Sequence, residues 1–181
     1  MKRLARLRAR LAEALARRRV PLGFALGALI WWLAAPTRAS LVAGTAIAVV
    51  GEGIRIWAAG HLIKSREITA SGPYRWFAHP LYVGSSVMGA GLAIACASAA
   101  AFVLIAMYLG VMITAAVRNE EAFLRRTFGD RYDRYRQGRT ASRPYSLAQA
   151  MRNREYRAVV GLAVAVGLLA LKTYLGPFAS R

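Results

Sequence analysis

Apolar and polar positions alternate along this chain in long blocks rather than in single residues. Residues 20–35 are apolar, opened by Pro21 and closed before Pro36. Residues 41–62 form a second apolar block, broken by Glu52 and Arg55, which lie three apart and so share a helix face. Residues 80–117 hold no charged side chain, and residues 158–171 form the last block. A bilayer core takes about 20 helical residues. As one helix the 80–117 run would reach about 57 Å, nearly two membranes. It is therefore expected to fold back near "CASAAA" (96–101). The pattern predicts an all-α polytopic membrane protein with about five transmembrane helices, near 20–35, 41–62, 80–97, 100–117 and 158–174.

Charge orients these spans. The chain has 26 Lys and Arg against 8 Asp and Glu, a formal charge of +18, and is 57% hydrophobic. Residues 1–19, 60–79 and 118–157 carry most of the basic side chains, and all three fall on one side of a five-span arrangement. By the positive-inside rule that side is cytosolic. Residues 1–19 place Leu4, Leu7, Leu11 and Leu15 on one stripe and predict a basic amphipathic helix on anionic lipid. Positive loops beside membrane spans account for the basicity, so nucleic acid is not expected as a partner. One cysteine, Cys96, and two histidines give no thiolate or zinc cluster, so no metal is expected. Gly23-xxx-Gly27 and Ser85-xxx-Gly89 have the spacing of helix-packing notches.

The chemistry-bearing residues gather in two stretches. "HLIKSREITASGPYRWFAHPLY" links the second and third spans, and "RNEEAFLRRTFGDRYDRYRQGRT" follows the fourth. The third and fourth spans form a hairpin, so these stretches meet at one membrane surface. Glu120 and Glu121 continue the fourth helix past the membrane; 100° apart around the axis, only one of them need face a site. Pro80 suits a first helical turn, which leaves the N–H groups of Leu81 and Tyr82 free at a positive helix end, a seat for a carboxylate. Glu52 and Arg55 either meet a substrate within the membrane or form an internal ion pair that locks two helices.

"GPYRWFAHPLYVG" followed by "EEAFLRRTFGDRYDRYR" resembles the isoprenylcysteine carboxyl methyltransferase family and the related membrane phospholipid methyltransferases, over about residues 44–136. "GEGIRIWAAGHLIK" is similar to that family's upstream helix. The resemblance implies S-adenosylmethionine, held between membrane helices and a cytosolic cap (118–157). It implies Tyr74, His79, Pro80, Leu81, Tyr82, Glu120 and Glu121 as cofactor contacts, with Lys64, Arg66, Glu67, Ile68 and Thr69 matched more loosely. The catalytic candidates are His79, Arg118 and Glu121; the substrate candidates are Glu52, Arg55 and Arg118. The pattern differs at Ala78, where the family carries arginine before His-Pro, and at Ala116, where eukaryotic members carry an arginine for the substrate carboxylate. The acceptor thus stays open between a prenylcysteine-like carboxylate and a lipid head group. The expected partners are a lipophilic substrate and membrane lipids, and the expected place is the bacterial inner membrane with the site facing the cytosol. Two other readings stand beside it: an NADPH-dependent sterol-type reductase and a non-catalytic membrane scaffold.

Overall fold

The computed structural model describes residues 19–63, 69, 71–128 and 144–179, and within them every regular element is a helix. They are α1 (Arg19–Leu33), α2 (Arg38–His61), a 3₁₀ turn (Gly72–Arg75), α3 (Pro80–Cys96), α4 (Ala99–Phe128), α5 (Leu147–Arg152) and α6 (Tyr156–Ala179). The expected amphipathic helix over 1–19 lies almost wholly outside the described residues.

Local chemistry explains the boundaries. Thr37 caps α2 in a capping box: its hydroxyl accepts from the Ser40 N–H, and the Ser40 hydroxyl accepts from the Thr37 N–H. Pro80 opens α3 at the position where a missing N–H costs no helical bond. The long uncharged run does fold back: Ala97, at φ 47°, ends α3, and Ser98 accepts from the Ala101 N–H as α4 begins. α4 then runs unbroken for 30 residues, about 45 Å, which carries it well past a bilayer core.

Three helical stretches are long and apolar enough to cross a membrane: Arg38–His61, Ala99–Phe123 and Tyr156–Leu175. The apolar stretches Gly23–Leu33 and Pro80–Cys96 are shorter. The packing is that of a protein in lipid. The buried apolar residues are mostly alanine, while Phe24, Trp32, Val42 and Val111 point outward. Large side chains that solvate in lipid leave small ones to join the helices. α2 and α3 approach closest. A Cβ on Gly44, Gly51, Gly84 or Gly91 would overlap the backbone or Arg55 stem of the facing helix. Gly89 likewise sits tight against Leu109 of α4. Gly23 and Gly27 make no such notch: nothing lies within 4 Å of a Cβ at Gly27, and only the Tyr108 hydroxyl at 3.9 Å at Gly23. The spacing is that of a notch, but among the described residues this face of α1 has no close neighbour.

The bundle has two unlike ends. At one, Ala34, Ala95, Cys96, Ala101 and Leu169 form a small core. Lys172 closes the end of α1 by donating to the Trp31 and Trp32 carbonyls at 2.6 and 2.7 Å. The other end gathers the C-terminus of α2, the start of α3, the extension of α4, and α5. The cap expected over 118–157 is described in part. Residues 118–128 prolong α4, residues 144–155 dock on the end of α2, and 129–143 lie outside the described residues. The docking is specific. The Asn153 amide donates to the Ala59 and Leu62 carbonyls at 2.8 Å each, Gln149 donates to Leu62 at 3.0 Å, and the Ser146 N–H donates to Gly60. These bonds satisfy carbonyls that a helix terminus otherwise leaves without partners.

Candidate active site

His79 ends the loop between α2 and α3 and occupies the N-cap position of α3, yet its side chain makes no capping bond. Its ring is free to turn toward α4, and it lies between two carboxylates. Nδ1 is 3.4 Å from Glu120 and Nε2 is 3.6 Å from Glu121. The structure thus brings both glutamates to the histidine, where one sufficed for the sequence argument; an imidazole with a nitrogen at each side spans the angle between adjacent helical residues. His79 is largely buried, while the glutamates remain about one-third exposed. Hydrogen bonding toward Glu120 raises the His79 pKa above its ordinary value; burial opposes this, and the charges of Glu120 and Glu121 add to it. The Tyr82 ring lies 5.8 Å from that of His79, and its hydroxyl faces Glu120.

The loop leading to His79 is pinned from below by the other histidine. His61 is buried at the end of α2, and its Nδ1 lies 3.1 Å from the Ser71 hydroxyl. Its ring fills the space where Gly72 would carry a Cβ; at φ 58°, Gly72 also holds a backbone conformation that side chains rarely adopt. The Tyr145 ring packs edge-on against His61 at 5.9 Å. Thr69 is buried in the same anchor, where its hydroxyl accepts from the Ile63 N–H at 3.4 Å. Tyr74 is buried within the 3₁₀ turn that follows. Nothing in the sequence marked His61: a buried ring opposite a glycine turn leaves no spacing signature. Lys64, Arg66, Glu67 and Ile68 lie outside the described residues.

Other expectations are corrected. The Tyr82 N–H is not free but donates to the His79 carbonyl at 3.0 Å, because the first turn of α3 tightens to a 3₁₀-type bond. Of the two amides read as open, Leu81 remains the candidate. Arg118 is exposed; three positions before Glu121, it lies on that residue's side of α4. Arg55 is engaged inside the protein. Its Nε lies 3.4 Å from Glu52, its Nη2 2.5 Å from Glu155, and its Nη1 bonds the Ser85 hydroxyl. The arrangement is the internal lock, widened to α3 and to the turn before α6. Glu155 was missed because nothing along the chain ties position 155 to position 55.

Beyond Tyr82, α3 and α4 enclose a half-open groove of about 320 Å³, lined by Ser86, Gly89, Ala93, Phe102, Leu109 and Ile113 among others. Tyr82, Ser86 and Gly89 share one face of α3, and Ile113 and Glu120 one face of α4. The groove therefore leads along the hairpin toward the charged site. Among the described residues no three His, Cys, Asp or Glu side chains come together as a metal site.

Fold and site together define an integral membrane protein, helical throughout its described residues, with an acid-flanked histidine at the end of a helix hairpin. Residues 24–131, more than half of the chain, match the phospholipid methyltransferase family, and the chain belongs to it; the isoprenylcysteine carboxyl methyltransferase group lies in the same family. The chain is also similar to the nickel-cobalt-cadmium resistance protein NccN of Alcaligenes xylosoxydans xylosoxydans, 32% identical over 106 residues. That match covers 58% of this chain and 48% of the relative, so the chain spans about half the length of the curated relative it matches. No solved structure matches.

Proposed function

We propose that this chain transfers a methyl group from S-adenosylmethionine to a lipid-like acceptor at the membrane surface. The observation that carries the reading is the meeting of His79 with Glu120 and Glu121 at the start of α3. The residues present fit this cofactor. A pair of partly exposed carboxylates suits an ammonium, the Leu81 N–H at the helix start suits a carboxylate, and Tyr74 and Tyr82 offer aromatic faces to an adenine or a cation. When bound, the cofactor supplies an activated methyl group on a sulfonium.

This chain's own residues hold and align. Glu120 and Glu121 fix the amino-acid end, and α3 and α4 exclude water from one side. The α3–α4 groove takes the acceptor's apolar chain, which sets the reacting head at Tyr82 and Glu120. Bringing donor and acceptor together is the main source of acceleration in such a displacement. A carboxylate acceptor needs no base. A hydroxyl or amine gives up its proton to His79 or Glu121. The acceptor is a prenylcysteine-like acid or a lipid head group. In this reading α1 and α3 also cross the bilayer, giving five spans, and the site with its cap faces the cytosol of a bacterial inner membrane. The name of the metal-resistance relative specifies no acceptor.

Calorimetric titration of the detergent-solubilised protein with S-adenosylmethionine tests the reading, with NADPH as control. Binding of the methyl donor that disappears in Glu120→Ala is the expected result. Binding of NADPH alone points to a reductase, and binding of neither to a scaffold.

A further inference from the structure

We propose that His79 is the resting occupant of a cation seat formed by Glu120 and Glu121, and that the ammonium of an incoming S-adenosylmethionine displaces it and expels one proton. The inference deepens the reading above and rests on it.

Two carboxylates on adjacent residues of α4 converge on a single cationic position. The imidazole now in that position is held at 3.4 and 3.6 Å. Close charge-assisted N–H···O contacts run about 2.7–2.9 Å, so the ring is gripped loosely. Among the described residues no other side chain anchors it. As N-cap residue of α3 it makes no capping bond, so the ring can leave without opening the helix start. Among the described residues, the titratable and charged groups that meet the ring are Glu120 and Glu121 from α4 and Tyr82 from α3. Arg55 of α2 reaches this cluster through Tyr82, at longer range, and is itself held by Glu52, Glu155 and Ser85. The carboxylates raise the imidazole pKa, so the resting ring carries its proton in mildly acidic solution. One seat cannot hold two cations. As an ammonium enters, the imidazolium moves out, its N–H bond breaks, the electron pair stays on nitrogen and the proton passes to water. Charge in the seat is conserved.

The test is calorimetry at two pH values and in two buffers of different ionisation enthalpy, at pH values low enough that the ligand's amino group stays protonated. The exchange makes S-adenosylmethionine bind more weakly as pH falls from about 7.5 to about 6.5, by at most about tenfold, because a ring outside the seat keeps its proton below its ordinary pKa of about 6.5. The buffer comparison should report up to one proton released in that window. 5′-Methylthioadenosine, which has the adenine but no ammonium, should release none. His79→Gln should flatten the pH dependence and abolish the release. A pH-independent affinity with no proton released overturns the exchange and leaves the cofactor reading standing. Proton release undiminished in His79→Gln also overturns it. Absence of S-adenosylmethionine binding at either pH overturns both. If His79→Gln fails to fold, the two-buffer measurement on the unmodified protein decides alone.

Discussion

Two clusters in this molecule share one design, a cation between two carboxylates, and differ in everything that governs exchange. Arg55 sits between Glu52 and Glu155; His79 sits between Glu120 and Glu121. In the first, both acids are buried, the cation is a guanidinium, and the acids come from α2 and from the turn before α6, with Ser85 of α3 added. In the second, the acids are one-third exposed, both come from α4, and the cation can lose its proton. The first ties α2 to α3 and to the turn before α6. The second is open on one side and holds a cation that can be replaced.

Variants can break this contrast. Arg55→Ala should do most damage: it strands two buried carboxylates, and breaking one buried pair costs about 3–5 kcal/mol. Thermal unfolding in detergent would show it, and a loss below 1 kcal/mol would mean that the cluster is no lock. Gly91→Ala comes next, since a methyl there meets the Ala48 backbone; overpacking of this kind costs about 1–3 kcal/mol, read in the same assay. Glu120→Gln should leave stability nearly unchanged and weaken S-adenosylmethionine binding. Loss of a hydrogen bond to a charged group is worth about 1.5–3 kcal/mol, roughly a ten- to hundredfold rise in Kd. Asn153→Ala removes two caps from α2 and should cost about 1–2 kcal/mol. The smallest effect is that of pH. Because the His79 pKa is raised in the fold, its pairing contributes fully below about pH 6.5 and is lost as pH rises through the raised value. With acids this exposed the loss should stay below about 1 kcal/mol, visible as a small fall in Tm on the alkaline side that His79→Gln removes.

What the sequence disclosed follows its own physical grain. An uncharged run too long for one membrane had to turn back, and its turn at Ala97 and Ser98 falls inside the six residues expected. That hairpin in turn brought His79 to Glu120. Contacts between segments distant along the chain left no such mark. Nothing along the chain ties Glu155 to Arg55, yet the turn before α6 places them together. Gly23 and Gly27 carry the same four-residue spacing as real notches, whereas Gly44, Gly51, Gly84 and Gly91 recur every seven residues on the two helices that touch. Periodicity tells which residues share a face and not which face has a neighbour. A capping amide such as Asn153 is likewise indistinguishable in sequence from a solvated one until its acceptor is known.

The capping of α2 bears on how the protein is made. Asn153 follows its acceptor Ala59 by 94 residues. While the chain is being synthesised, the second helix must wait in the membrane with bare carbonyls at its end until the segment before the last helix emerges. Until then water at the membrane surface has to serve those carbonyls.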